Sequence, residues 1–169
     1  MVAEAGAGRH HRRRALGHGG KRNAGSALRA HQRQRSEGGP APGTAAPGLY
    51  ALDIETGARR WAFTRKSRCP DEECVYGVSA AIIAANDIVV AGSIDGMLEV
   101  LNASTGKLLW SHDSWRSYAS ANGIETKGGA FDAHGPMLAD DLLVVTSGYG
   151  YVGRQRAGNA LLVFQVKHE

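Results

Sequence analysis

The residues best suited to chemistry lie between Tyr118 and Pro136, in a long segment that is polar and rich in glycine. Its candidates are Lys127, Asp132 and His134. A carboxylate such as Asp132 can accept a hydroxyl proton as a general base or bind calcium. Two plainer interpretations stay open: Asp132 can cap the turn beside it, and His134 can be an ordinary hydrogen-bonded loop histidine.

The two cysteines, Cys69 and Cys74, enclose four residues. A zinc site needs two further ligands nearby, and the sequence has no second cysteine pair. We therefore predict a structural disulfide that closes a small loop, with free thiols as the alternative. Such a bond suits a periplasmic or secreted protein. The pair thus bears on the cellular compartment and not on catalysis.

A repeated phrase dominates the part of the sequence that must position these residues. LYALDIETGARRW, ending at Trp61, recurs 49 residues later as LEVLNASTGKLLW, ending at Trp110. Each copy predicts a strand, a tight turn and a second strand, because the Asp or Asn can start a turn and the glycine can close it with a positive φ. Six residues have predicted structural roles: Asp53, Gly57, Trp61, Asn102, Gly106 and Trp110.

Short strands separated by turns account for the sequence after Pro47. The pattern predicts strands at 49–53, 59–63, 79–84, 88–94, 97–101, 107–112, 137–139, 142–146 and 160–166, and it shows no apolar period of 3.6 residues. Asp95-Gly96 is a strong hairpin signal between two of them, because both residues tolerate positive φ. Four-stranded units that repeat at about 40–50 residues are typical of β-propeller blades. We predict an all-β chain with about two and a half blades, a partial β-propeller.

Residues 1–47 differ in composition from the rest. They hold nine Lys or Arg against two acidic residues and have almost no large apolar side chains. Such a segment buries too little apolar area to offset the entropy of ordering it, so we expect a disordered basic tail, with the folded blades at 48–169. No aromatic residues or nucleic-acid motif accompany its arginines, which argues against a nucleic-acid partner. The sequence contains no apolar run typical of a signal peptide or of a membrane span.

Several motifs resemble one family. The tryptophan repeat, the cysteine pair, NGIETKGGAFDAHGP (122–136), TSGYG (146–150) and GNALLVFQV (158–166) are similar in type and order to the C-terminal part of polyvinyl-alcohol dehydrogenase-like quinoproteins. In that family the tryptophan packs between neighbouring blades, and Asp132 matches the family's G-G-x-x-D segment. His134 departs from the small residues that the family has there.

This resemblance implies a fold and a function. The family's fold is an eight-bladed propeller, and members oxidise alcohols or polymeric alcohols with pyrroloquinoline quinone, with calcium as a possible cofactor and a cytochrome as a possible electron acceptor. Lys127, Asp132 and His134 would then face the quinone. We expect a C-terminal fragment of such an enzyme, periplasmic or secreted and incomplete alone. The alternatives are a non-catalytic scaffold of the outer-membrane assembly factor type and a chain that self-associates through open blade edges.

Overall fold

The computed structural model describes residues 26–31, 47–65, 68, 76–132, 134–149 and 155–165. All regular elements in these residues are strands, which confirms the predicted all-β class. They are β1 (Ser26–His31), β2 (Gly48–Asp53), β3 (Arg59–Thr64), β4 (Ile83–Ala85), β5 (Ile88–Gly92), β6 (Met97–Asn102), β7 (Leu108–Asp113), β8 (Ser117–Tyr118), β9 (Thr126–Lys127), β10 (Met137–Ala139), β11 (Leu142–Ser147) and β12 (Ala160–Gln165).

Three antiparallel sheets form the partial propeller. The first blade is β1-β2-β3, the second is the four-stranded sheet β4-β5-β6-β7, and the third is β10-β11-β12. In each of them, neighbouring strands also follow one another in the sequence. The two short strands β8 and β9 pair with each other in the connection between the second and third blades.

The structure departs from the predicted strands in three places. β1 lies within the segment expected to be disordered, and its backbone pairs with β2 from Ser26↔Asp53 to His31↔Gly48, which gives hydrogen-bond partners to what would be a free strand edge. β4 has three residues where six were predicted. The β8–β9 hairpin was not predicted, because two-residue strands leave no alternating pattern to detect.

The hairpin turns follow backbone chemistry. Asn86 and Asp87 both take positive φ, 48° and 62°, as a tight two-residue turn between β4 and β5 requires. In the predicted Asp95-Gly96 turn, only Gly96 does so, with a φ of 77°. Asp95 is instead completely buried. The predicted hairpin is confirmed, since β5 and β6 pair antiparallel on either side of this turn, and the Asp95 side chain in addition serves a buried polar network.

Two hydrophobic clusters lie between the blades. The second blade contributes residues to both clusters, because successive side chains of β5 point to opposite sides of the sheet. Val89 and Ala91 pack towards the first blade, whereas Val90 packs towards the third. The cluster between the first two blades contains Leu49, Ala51, Trp61, Val78, Val89, Ala91 and Leu101. The cluster between the second and third contains Val90, Leu98, Phe131, Leu143, Val145, Ala160 and Leu162.

The connections alternate between two ends of the blades. We call one end the loop face: it carries the connections 65–82, 93–96, 114–136 and 148–159. The other end, the turn face, carries the short turns at 54–58, 86–87, 103–107 and 140–141. Backbone hydrogen bonds join the long connections to one another, as between Phe131 and Ser93 and between Ala130 and Arg156. Described residues of these connections are therefore linked to one another across the loop face.

Candidate functional site

The segment 128–131 is fixed to all its neighbours on the loop face. The Gly128 amide donates to the Arg116 carbonyl at 3.0 Å, Ala130 to Arg156 at 2.8 Å, and Phe131 to Ser93 at 3.1 Å. The Phe131 side chain is buried between the second and third blades. The sequence indicated a long, polar, glycine-rich connection, and this part of it is a packed strut.

Its glycines are needed for close backbone approach. A β-carbon on Gly128 would lie 2.1 Å from the Ser114 carbonyl oxygen, and one on Gly129 would lie 2.2 Å from the Arg156 carbonyl oxygen. Real β-carbons do not come so near, so any side chain would push the connections apart. The hydroxyls of Ser114 and Ser147 both donate to the Gly129 carbonyl, at 2.6 and 3.0 Å. This strut is what positions the residue that follows it, Asp132.

Asp132 directly follows the strut, and the residue is half-buried. Its Oδ2 accepts a hydrogen bond from Gln155 Nε2 at 2.8 Å, and Gln155 comes from the connection between β11 and β12. The amide thereby orients the carboxylate from a second loop. The Oε1 atom of Gln155 is buried without a hydrogen-bond partner in the structure. Gln155 carried no signal in the sequence.

The other two candidates have different surroundings. Lys127 lies in β9 with an exposed side chain, and its Nζ forms an ion pair with Glu125 Oε1 at 2.8 Å. That contact lowers the pKa of Glu125, chiefly through the hydrogen bond from Lys127. His134 is exposed. Among the described residues, Lys127 and Asp132 thus have separate partners, and no contact joins the three predicted residues.

These residues do not by themselves form a quinone pocket within the described part of the chain. Lys127 points to a surface carboxylate, and only Asp132 is held by a second connection. No group of three or more His, Cys, Asp or Glu side chains in the described ranges is placed to hold a metal ion. We therefore derive no reaction step through quinone or calcium for this chain. Cys69 and Cys74, and with them the predicted disulfide, lie outside the described residues.

A polar cluster around His112 was missed by the sequence reasoning. His112 is buried on β7, and burial together with the Arg116 charge lowers its pKa. Arg116 Nη2 donates to His112 Nδ1 at 2.8 Å, and His112 Nε2 lies 2.9 Å from Tyr118 Oη. The same Arg116 Nη2 also lies 3.1 Å from His112 Nε2, so one guanidinium faces both ring nitrogens. Phe164 meets the His112 ring edge-on, with centroids 4.8 Å apart.

A second missed group joins the first and second blades. Arg65, at the end of β3, places Nη2 2.5 Å from both carboxylate oxygens of Asp95 and Nη1 3.0 Å from Glu99 Oε1. Ser93 Oγ also accepts from Arg65 and donates to Asp95. The only sequence signal was a charged residue, Glu99, in the middle of an apolar strand.

The burial and the charges of this network shift the pKa values of Glu99 and Arg65. Burial raises the pKa of Glu99, and the Arg65 charge offsets this only in part. For Arg65, burial alone would lower the pKa, but the carboxylates of Glu99 and Asp95 outweigh it and the pKa rises. One guanidinium thus balances two buried carboxyl groups. The network is an interblade connection.

The two tryptophans of the repeat occupy different environments. Trp61 is 8% exposed and packs against Gly106 in the second blade, with its Nε1 donating to the Ala103 carbonyl at 2.9 Å. Trp110 is 39% exposed and meets Phe164 of β12 edge-on, with centroids 5.2 Å apart. None of these contacts of the two tryptophans involves Asp132.

Comparison with known proteins gives the lineage. Residues 41–163 match the family described as outer membrane protein assembly factor BamB, whose repeats are of the PQQ type. The chain belongs to this family. It is 36% identical over 131 residues to a polyvinylalcohol dehydrogenase of Pseudomonas sp, a match that covers 71% of this chain and 20% of that protein. A polyvinylalcohol dehydrogenase of Sphingopyxis sp. (strain 113P3) is 33% identical over 136 residues, with the same coverage.

Other relatives include quinoproteins. The quinoprotein alcohol dehydrogenase PedH of Pseudomonas putida is 28% identical over 116 residues, which is 66% of this chain and 18% of that protein. The predicted family resemblance is confirmed. The chain spans about a fifth of the length of the curated relatives it matches. Among the described residues there is no helix long and apolar enough to cross a membrane.

Solved structures are similar as well. BamB from Moraxella catarrhalis is 20% identical, with 62% of this chain and 30% of that one covered and a TM-score of 0.45. A quinohemoprotein alcohol dehydrogenase from Comamonas testosteroni is 22% identical, with 60% and 14% covered and a TM-score of 0.44.

Proposed function

We propose that this chain forms C-terminal blades of a polyvinyl-alcohol dehydrogenase-like quinoprotein that oxidises alcohols with pyrroloquinoline quinone, and that it is inactive alone. The match to the Pseudomonas polyvinylalcohol dehydrogenase, 36% over 131 residues, carries the proposal. The described residues form three blades, whereas a closed propeller needs roughly four to eight. In this proposal the rest of the quinone pocket comes from blades outside this chain.

Asp132 is the residue we assign to the chemistry. The rigid strut at 128–131 and the hydrogen bond from Gln155 hold its carboxylate on the loop face. In the complete enzyme it would take the alcohol proton as general base or, with ligands from blades outside this chain, bind calcium, while Lys127 and His134 would line the same mouth. The electron acceptor would be a cytochrome, and the location periplasmic or secreted. Quinone, when bound, supplies the two-electron oxidation.

The test transplants these blades into an active relative. Residues 48–169 would replace the equivalent C-terminal segment of the Pseudomonas polyvinylalcohol dehydrogenase, and reduction of a dye would be followed with polyvinyl alcohol as substrate. We expect an active chimera, because the loop face would complete the quinone pocket. Asp132→Asn should lower its kcat at least a hundredfold, in line with the loss of a general base.

Asp87→Asn is the matched control, because Asp87 is an exposed carboxylate in a hairpin turn on the opposite, turn face. Its chimera should keep full activity. A folded chimera that retains quinone but oxidises no alcohol would overturn the proposal. The 169-residue chain alone, incubated with quinone and calcium, should leave gel filtration without bound cofactor.

A non-catalytic scaffold is the second candidate function. The family match carries the description of an outer membrane protein assembly factor, and the predicted site residues have separate partners. If the chain is such a scaffold, the chimera will fold but stay inactive, and Asp132→Asn will change nothing. Gel filtration of the chain would at the same time report self-association through open blade edges.

A further inference from the structure

An arginine–tryptophan stack stands out on the loop face. The guanidinium carbon of Arg68 lies 4.8 Å from the centroid of the Trp115 ring, and that of Arg156 lies 5.1 Å from it. Arg68 comes from the connection 65–82, Trp115 from 114–136 and Arg156 from 148–159. The connections after the first and second blades and the one within the third therefore meet at one indole ring.

The ring itself is firmly placed. Trp115 lies so close to Gly96 that a β-carbon on this glycine would be 2.2 Å from ring atoms. The backbone amide of Trp115 also donates to Asp113 Oδ1 at 2.9 Å. The ring is thus a fixed platform, and the guanidinium groups stacked on it lose little further freedom when they bind a ligand.

The charges around the stack do not balance. Arg68 Nη2 forms an ion pair with Asp113 Oδ2 at 2.8 Å and its Nη1 donates to Met97 Sδ at 2.7 Å, whereas the described contacts of the Arg156 guanidinium are limited to the Trp115 ring. Arg116, the neighbouring cation, is directed to His112 and Tyr118. Of the two stacked guanidinium groups, only that of Arg68 therefore has a carboxylate partner among the described residues. The Trp115 Nε1–H, buried and without a hydrogen-bond partner in the structure, adds a positive dipole end.

This arrangement fits one ligand chemistry. A guanidinium stacked by its face on an aromatic ring keeps its N–H edge free, and that edge matches the two oxygens of a carboxylate. We propose that Arg156, together with Arg68 on the ring of Trp115, forms a binding site for a carboxylate-bearing ligand. The proposal does not depend on alcohol oxidation, and the carboxylate can come from a small molecule or from an acidic peptide.

Oxalate is the probe that we would use for the small-molecule source, and a hexaglutamate peptide for the other. Each would be titrated into the ¹⁵N-labelled 169-residue chain while the indole N–H signal of Trp115 and the arginine Nε–H signals are followed. We expect saturable shifts that weaken as salt rises. Arg156→Gln should weaken oxalate binding at least tenfold, and tighter binding of one probe would identify its source.

Arg60→Gln is the matched control, because Arg60 is a surface arginine already paired with Asp53 on the turn face. It should bind oxalate like the wild type, and the thermal midpoints of both variants should match the wild type, since both side chains are exposed. Equal oxalate affinity of the wild type and Arg156→Gln would overturn the proposal. So would the absence of shifts at Trp115 with both probes.

Discussion

The indole ring of Trp61 lies against the α-carbon of Gly106 in the next blade, in space that any β-carbon at that position would occupy. The glycine is part of a turn that the chain forms twice. Asp53 and Asn102 each accept hydrogen bonds from the backbone amide and hydroxyl of the threonine three residues later, at 2.9–3.0 Å. The first turn, ending at Gly57, has the same shape but no neighbour on its glycine. The two copies of the turn can therefore be compared directly, because only Gly106 lies against a tryptophan of another blade.

Replacing the two tryptophans should have unequal effects. Trp61→Ala removes a buried ring and the hydrogen bond to Ala103, so we expect a loss of about 3–5 kcal/mol in the free energy of unfolding. Trp110→Ala removes a ring that is 39% exposed, and we expect a loss of about 1–2 kcal/mol. Urea denaturation of both variants measures the difference. Equal losses would mean that Trp61 does not join the blades in solution.

The two turn glycines allow backbone strain to be separated from steric clash. Gly57 and Gly106 have φ values of 71° and 70°, so an alanine at either is strained by about 1–2 kcal/mol. Only at Gly106 does the new β-carbon collide, at 2.6 Å, with Trp61. We expect Gly57→Ala to cost that strain alone and Gly106→Ala to cost at least about 2 kcal/mol more. In a Trp61→Ala background, the excess should disappear.

The Arg65 network predicts a characteristic pH dependence. Burial raises the pKa of Glu99 in the folded state above its usual 4.5, so the folded chain binds this proton more tightly than the unfolded chain. The contribution of Glu99 to stability is therefore largest below pH 4.5 and declines as the pH rises through the folded pKa. Glu99→Gln should remove that decline in urea denaturation followed from pH 4 to 8.

His112 gives the stability the opposite dependence on pH over part of the same pH range. Its folded pKa is lowered below 6.5, mainly by burial, so its contribution to stability is present above pH 6.5 and lost as the pH falls through the folded pKa. The Glu99→Gln chain should therefore become less stable on acidification below pH 6.5. A wild-type profile identical to that of Glu99→Gln would contradict the buried position of Glu99.

Removing the cation of the network should be more harmful than removing one acid. Arg65→Met leaves Asp95 and Glu99 buried without a positive partner, and we expect a loss of about 3–5 kcal/mol near neutral pH. At pH 4 the loss should be smaller, because Glu99 is then more fully protonated. Arg60→Met, at an exposed ion pair, is the control and should cost less than about 1 kcal/mol.

The blades were predictable because their determinants are local. Strand pairs, turn glycines and the Asp or Asn at the start of each turn lie within about a dozen residues of one another, so the repeat is visible in the sequence. Trp61 and Gly106 could be assigned to structural positions for the same reason. β4 was overpredicted because the run at 79–82 resembles a strand in composition but here forms an irregular connection in which Ser79 and Ala81 are exposed.

The polar groups between blades could not be predicted in this way. Arg65 and Glu99 are 34 positions apart, and Asp132 and Gln155 are 23 apart, so no local pattern links them. The hairpin at Asp95-Gly96 was predicted but the burial of the Asp95 side chain was not, because the turn alone explains an Asp-Gly pair. The sequence did indicate Asp132 as a candidate, but not that a buried strut and an amide from another connection would hold it. Such contacts depend on how the blades dock.

The order of the strands has a consequence for how the chain folds. Every strand pair in the three blades joins strands that follow one another in the sequence, with at most 16 residues between them (48 − 31 − 1 = 16 for β1 and β2). The contact from Trp61 to Ala103, by contrast, spans 42 positions. We expect the sheets to form early and the docking of blades to come last. On unfolding, the first blade can then detach before the others, so amide exchange in β2 and β3 would be faster than in β5 and β6.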